Sequence, residues 1–260
     1  MRDLMKHNMN YKHLVPVITP LCLWFLSQAF LLWPTFFYAA VALGVLLIVL
    51  SIRLLAAETK VMTWPLLIAP LLLFFFSFSV YASLLMSRFW VEVVFVLNVW
   101  FAYAYLKNLY YYLVRHEEKR VEKLTNLMLA GTWLTIFAAA ATLYDLPEFI
   151  DWPFLVLLLI FMVMTGFLWF GFWPLTKIKF RTAAPVQGVS WLVLGALTWL
   201  VSLLPLNYNV LGFLTAIIAY FLLELNRAHW RGDLNRRTLK APLILSAILI
   251  IILLLTARWL

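Results

Sequence analysis

Long apolar runs separated by short polar segments fill most of the chain. Each run is 18 to 24 residues long, and an α-helix needs about 20 apolar residues to cross a hydrocarbon layer. None of the runs alternates with a period of two, and lipid leaves only helices or closed barrels as spanning structures. The pattern therefore predicts an all-α integral membrane protein, a polytopic bundle of nine transmembrane helices. The predicted spans are 14–33, 35–55, 64–86, 88–108, 124–144, 152–175, 188–205, 209–227 and 241–259.

Composition agrees with this pattern. Of the 260 residues, 66% are hydrophobic and 12% are charged, whereas a soluble domain carries about 25% charged residues. The polar connections between the runs are too short to form a soluble domain. We therefore expect a single transmembrane domain over residues 1–260, embedded in the lipid bilayer.

The basic residues fall on alternate connections between the predicted spans. If the N-terminus lies in the cytoplasm, 18 of the 20 Lys and Arg residues lie on the cytoplasmic side, and only Arg88 and Arg258 lie outside. Short cytoplasmic loops of membrane proteins carry this excess of positive charge. The distribution predicts nine crossings, an external C-terminus and a bacterial or archaeal cytoplasmic membrane. Because topology accounts for the net charge of +9, we expect no nucleic-acid partner.

Ionisable residues occur at two positions within the predicted spans. Arg88 and Glu92 stand four residues apart near the outer end of the fourth span, and Glu224 precedes Arg227 by three residues near the inner end of the eighth. Residues at these spacings are neighbours on a helix surface. Each carboxylate therefore has two interpretations, a local ion pair or a ligand or ion site, because ionisable groups in a membrane are often functional.

Asn98 lies near the middle of the fourth span. An amide at this depth requires a hydrogen-bond partner on another helix, and Ser77 and Thr132 lie at comparable depth. The two interpretations are a hydrogen bond between helices and a polar gate or substrate contact. The candidate intramembrane polar site consists of Arg88, Glu92, Asn98 and Glu224.

Mixed charges follow the fourth and eighth spans on the predicted cytoplasmic side. Such clusters bind anionic lipid headgroups or protein partners, although topology signals alone produce the same pattern. No Pro or Gly occurs between Arg88 and Glu122, so we expect the fourth helix to continue past the membrane. The candidate docking surface consists of Arg115, His116, Lys119, Arg120, Arg227, His229 and Arg231.

The sequence offers little for catalysis. Its four histidines fall in predicted cytoplasmic segments, Cys22 is the only cysteine, and no nucleophile, metal or phosphate-binding motif is present. We therefore name no catalytic residue, no metal ligand and no cofactor. The interpretation leans against an enzyme and leaves the question open.

Three functional hypotheses follow. Aromatic residues make up 17% of the chain and glycine only 8 residues, whereas sliding helix interfaces favour small residues. The leading hypothesis is a membrane scaffold or accessory subunit that binds a protein partner or lipid through aromatic flanks and basic cytoplasmic loops. The alternative is a transporter or flippase for an amphipathic or lipid-like solute. The third is a membrane enzyme acting on a lipid substrate.

The predicted topology can be tested by cysteine accessibility after replacement of Cys22 by Ser. A cysteine introduced beside Glu148 should react with a membrane-impermeant maleimide only from outside, because its loop carries no basic residue. A cysteine beside Glu118 should react only from the cytoplasmic side. Reaction of both cysteines from the same side would contradict an odd number of crossings between these two positions.

Overall fold

The computed structural model describes residues 11–57, 64–117, 119–171, 180–230 and 236–256. Regular secondary structure within these ranges is helical, and no strand occurs in them, so the all-helical prediction is confirmed for this part of the chain. Short 3₁₀ turns at Pro34–Phe36 and Leu146–Glu148 connect neighbouring helices. The described residues form nine α-helices, which are α1 (Val15–Leu32), α2 (Phe37–Ala56), α3 (Trp64–Leu84), α4 (Arg88–Leu113), α5 (Lys119–Asp145), α6 (Phe154–Phe170), α7 (Phe180–Val201), α8 (Tyr208–Trp230) and α9 (Arg236–Thr256).

Seven of these helices, all except α6 and α9, are long and apolar enough to cross a membrane. The apolar segments of α6 and α9 are shorter and cover Phe154–Trp169 and Lys240–Leu253. Seven apolar helices of this length mark the chain as an integral membrane protein.

Proline and extended backbone separate consecutive helices. Trp33 is extended, with φ −132° and ψ 93°, because the following Pro34 disfavours helical backbone in the residue before it. Ser87 is extended in the same way before α4. Helices also continue past the predicted spans, since α4 ends at Leu113 and α7 begins at Phe180. Hydropathy locates the apolar segment, whereas backbone hydrogen bonding continues into its polar flanks.

The chain forms two compact units, unit 1 over Met1–Thr132 and unit 2 over Trp133–Leu260. The single transmembrane domain over residues 1–260 remains a prediction. Each unit has its own packed interior, and the two are described in turn.

Aromatic rings hold α3 and α4 together in unit 1. Phe74 and Phe101 stack with ring centroids 4.0 Å apart and planes 16° apart. One turn along α4, the buried Tyr105 hydroxyl donates a 2.6 Å hydrogen bond to the Leu67 carbonyl. On α5, Gly131 lies directly against the Phe101 ring, in a position where a Cβ atom would collide with it. A glycine is therefore required on α5 because the stacked aromatic pair fills the space beside it.

Small residues permit close helix contacts in unit 2. Gly195 on α7 lies against Met162 on α6, where a Cβ atom would stand 2.7 Å from the sulfur. Gly212 on α8 meets the backbone of α5, and a Cβ atom there would stand 2.7 Å from the Ala141 nitrogen. Small residues let membrane helices approach closely and gain van der Waals contact.

Replacement of Gly212 by Ala should destabilise the protein by about 1–3 kcal/mol, because the added methyl collides with backbone that has no rotamer freedom. The matched control is Gly188→Ala on α7, where a Cβ atom meets nothing within 4 Å. That control should be neutral or stabilising by up to about 1 kcal/mol through helix propensity. The measurement is the thermal midpoint of the detergent-solubilised protein. Equal effects of the two substitutions would contradict the close approach of α8 and α5.

Candidate functional site

Glu92 contacts a neighbouring helix and does not form an ion pair with Arg88. The Gln28 amide on α1 donates a 2.9 Å hydrogen bond to the Glu92 carboxylate on α4. Arg88 is exposed, and an Arg88–Glu92 pair is not among the ion pairs formed by the described residues. The carboxylate therefore ties α4 to α1 in unit 1.

Glu224 forms the local ion pair that its spacing predicts. The Arg227 guanidinium lies 3.1 Å from the Glu224 carboxylate, and both side chains are half-buried. The buried Asn226 lies two residues after Glu224, which at about 100° per residue places the two on opposite faces of α8. The ion pair thus occupies a different face of α8 from the buried amide.

Asn98 is buried, with 2% of its surface exposed. Neither its amide nitrogen nor its oxygen has a hydrogen-bond partner among the described residues, so the predicted hydrogen bond between helices does not form. Phe74 of α3 stacks on Phe101 of the antiparallel α4. Ser77 follows Phe74 by three residues and Asn98 precedes Phe101 by three, so Ser77 and Asn98 lie at the same level. The Ser77 and Thr132 hydroxyls are also buried without a partner.

A second set of buried polar groups lies in unit 2 and was missed by the sequence analysis. The atoms without a partner among the described residues are Nε1 of Trp169 and Trp230, Nδ2 of Asn226, and both amide atoms of Gln187. The Ser190 hydroxyl donates a 2.9 Å hydrogen bond to Oδ1 of Asn226. We call Trp169, Gln187, Ser190, Asn226 and Trp230 the amide–indole cluster.

Helix register brings the amide–indole cluster together. On α6 and α7, Gly166 lies against Trp191. Trp169 lies three residues after Gly166 on α6, and Gln187 lies four residues before Trp191 on the antiparallel α7, so both are about one turn further in the same direction. On α7 and α8, Ser190 contacts Asn226. The next turn of each helix carries Gln187 and Trp230. The three helix ends therefore place these side chains at one level of unit 2.

An apolar groove of about 430 Å³ lies between α7, α8 and α9 in unit 2. Ser246, whose hydroxyl is buried without a partner, is the polar member of a lining that is otherwise apolar. The groove begins one helical turn from the amide–indole cluster, since Val193 follows Ser190 by three residues and Leu222 precedes Asn226 by four. Volumes of about 300–1,000 Å³ are typical of small-molecule sites.

The candidate docking surface is organised at the connection between α4 and α5. The Arg120 guanidinium lies 3.2 Å from the Glu117 carboxylate and 4.6 Å from the centre of the Tyr111 ring. Hydrogen bonding to Tyr110 raises the pKa of the Arg115 guanidinium. His116 has a φ of 53°, a left-handed conformation that reverses the chain between the two helices.

The remaining predicted docking residues are distributed as follows. Lys119 begins α5, His229 is exposed near the end of α8, and Arg227 pairs with Glu224. Arg231 lies outside the described residues. Of the predicted intramembrane site, Arg88, Glu92 and Asn98 belong to unit 1 and Glu224 to unit 2.

The missed residues had only weak signals in the sequence. Gln28 is an amide within the first apolar run, and this was a usable signal. Gln187 lies one residue before the predicted span at 188–205, and Asn226 lies beside charged residues at the end of 209–227. Both amides therefore look like ordinary flanking polar residues. Their burial depends on contacts between helices.

No family model matches the chain, and neither a curated protein nor a solved structure matches it. Among the described residues, no group of three or more His, Cys, Asp or Glu side chains is arranged to hold a metal ion.

Replacement of Asn98 by Leu should leave stability unchanged or raise it, because a buried polar group without a partner costs about 1–3 kcal/mol. The matched comparison is Tyr105→Phe, which removes the 2.6 Å hydrogen bond to Leu67 and should destabilise by about 1 kcal/mol. Thermal unfolding in detergent measures both variants. Destabilisation by Asn98→Leu comparable to that of Tyr105→Phe would contradict the absence of a partner for Asn98.

Proposed function

We propose that the protein is a polytopic membrane scaffold or accessory subunit that binds another membrane protein through the connection between α4 and α5. The supporting observation is the fixed position of Arg120, held by Glu117 at 3.2 Å and by the Tyr111 ring at 4.6 Å. Arg and Tyr are enriched among the residues that dominate binding energy at protein interfaces. We call Tyr111, Arg115, His116, Glu117 and Arg120 the hairpin surface.

Preorganisation favours a binding role for the hairpin surface. Ordering a long flexible side chain at an interface costs about 0.5–1.5 kcal/mol. Arg120 is already constrained by its carboxylate and aromatic neighbours, so less of this cost remains when a partner binds. Arg115 lies in the same connection and retains its charge beside Tyr110. The surface therefore combines aromatic area with positive charge, which suits an acidic segment of a partner.

The proposal includes nine crossings with the N-terminus in the cytoplasm of a bacterial or archaeal cell. It rests on the distribution of 18 of the 20 basic residues to one side. The shortest crossing is α6, whose 17 residues correspond to about 25 Å. The bilayer accommodates a mismatch of this size by thinning or by rearrangement of flanking residues. The same topology places the hairpin surface on the cytoplasmic side.

The contacts of the predicted intramembrane residues weigh against a transporter that uses them as its path. Glu224 is neutralised by Arg227 at 3.1 Å, and Glu92 is engaged by Gln28 at 2.9 Å. Asn98 is buried one helical turn from Phe101 on α4. Each group serves a local contact or lies in packed surroundings. Transport of an amphipathic solute and catalysis on a lipid substrate therefore rank behind the scaffold role.

Replacement of Arg120 by Gln should reduce recovery of a stoichiometric membrane-protein partner at least tenfold after mild detergent extraction. The substitution removes both the charge and the cation–π contact that fix the hairpin surface. The matched control is Arg53→Gln, an exposed basic residue at the end of α2, which lies on the same predicted side and should leave recovery unchanged. Quantitative mass spectrometry of the purified complex is the measurement.

Equal losses in the two variants would show a general charge effect and would overturn the proposed role of the hairpin surface. Binding to anionic lipid vesicles, with no stoichiometric protein partner recovered, would instead assign the hairpin surface to lipid headgroups.

A further inference from the structure

The amide–indole cluster presents more hydrogen-bond donors than acceptors. Trp169 and Trp230 each offer an indole N–H, and Asn226 and Gln187 each offer an amide NH₂, all without a partner among the described residues. Gln187 also offers its amide oxygen, Oε1, as an acceptor without a partner among the described residues. A group that complements this set must therefore carry oxygen acceptors.

The hydrogen-bonding groups without partners in the amide–indole cluster belong to buried side chains. Trp169 is 1% exposed, Gln187 2% and Asn226 0%. Buried polar side chains in proteins nearly always have a hydrogen-bond partner, either protein or ordered solvent. Five unpartnered atoms at one level of unit 2 indicate a site that is completed by another molecule.

The cluster contains no formal charge, since its members are two indoles, two amides and a hydroxyl. Among the described residues of α8, the formal charges nearest to Asn226 are Glu224 and Arg227, and these pair with each other at 3.1 Å. A buried anion without a counter-charge is strongly disfavoured. The ligand head that fits is therefore uncharged, such as a hydroxyl, ester or ketone.

The neighbouring groove supplies the apolar half of a site. Its lining comes from three helices, with Val193 and Leu197 on α7, Leu222 on α8 and Ala247 on α9. Val193 and Leu222 each lie one helical turn from the Ser190–Asn226 hydrogen bond. A linear chain lying in the groove would thus bring its head to the level of the cluster.

We propose that unit 2 binds a lipid with an uncharged, oxygen-bearing head, whose apolar chain occupies the groove between α7, α8 and α9 and whose oxygens accept hydrogen bonds from the amide–indole cluster. This lipid-binding role in unit 2 does not depend on the proposed function of the hairpin surface. Occupation would satisfy donors that unit 2 leaves open.

The test uses the full chain in phosphatidylcholine vesicles that contain a diacylglycerol probe with a photoactivatable group at the end of one chain. A phosphatidic acid probe with the same chains is the charged comparison. After illumination, peptide mass spectrometry should find the diacylglycerol label within residues 193–197, 217–222 and 243–250. The phosphatidic acid probe should label these segments at least tenfold less. Equal labelling by the two probes would overturn the proposal that the site selects an uncharged head.

Replacement of Gln187 by Leu should reduce diacylglycerol labelling at least tenfold. The fold should survive because the Gln187 amide makes no hydrogen bond to the described residues. Asn98→Leu is the matched control, since it removes an equally buried, unpartnered amide from unit 1 and should leave labelling unchanged. Unchanged labelling in Gln187→Leu would assign the cluster to ordered water and overturn the proposal.

Two further variants keep the test decisive if Gln187→Leu is not recovered as a folded protein. Trp169→Phe retains an apolar aromatic ring and removes one free N–H, and it should also lower labelling. Ala247→Phe fills the groove from α9 and should abolish labelling by both probes. Absence of any label in the groove of the parent protein, with label elsewhere on the chain, would also overturn the proposal.

Discussion

The constraint on which this structure depends is the absence of water from the hydrocarbon layer. Each backbone N–H and C=O must find its partner within the protein, and an α-helix achieves this within one segment. In the part of the chain that the structure describes, the apolar segments consequently form helices. Because the backbone groups are hydrogen-bonded within each helix, the polar groups that still need partners are the side chains in the interior. Their partners, or the lack of them, distinguish packing from binding.

Glycine and aromatic residues together determine how closely the helices pack. The chain has only 8 glycines, yet Gly131 and Gly212 each lie where a Cβ atom would collide with a neighbouring helix. In unit 1 the neighbour is the ring of Phe101, whereas in unit 2 it is the backbone at Ala141. The low glycine content is therefore compatible with close packing, because a few glycines stand where bulk would be excluded.

The sequence was sufficient for features that depend on local spacing and insufficient for those that depend on helix neighbours. The all-helical fold follows from the apolar runs, and the Glu224–Arg227 ion pair follows from a three-residue spacing. Glu92, however, accepts its hydrogen bond from Gln28, 64 residues away in the chain. A periodic pattern shows that a residue lies on a helix face but does not identify the helix it meets. Gln187 and Asn226 were missed for the same reason.

Unpartnered amides occur in both units, but their surroundings differ. Asn98 is 2% exposed and lies one helical turn from Phe101, which stacks on Phe74. Gln187 and Asn226 instead lie with two indole N–H groups at the level where an apolar groove begins. Unit 1 also leaves the hydroxyls of Ser77 and Thr132 open, and a hydroxyl can either donate or accept a hydrogen bond. In unit 2, by contrast, several indole and amide donors without partners lie next to an apolar groove, and this combination suits an amphipathic molecule.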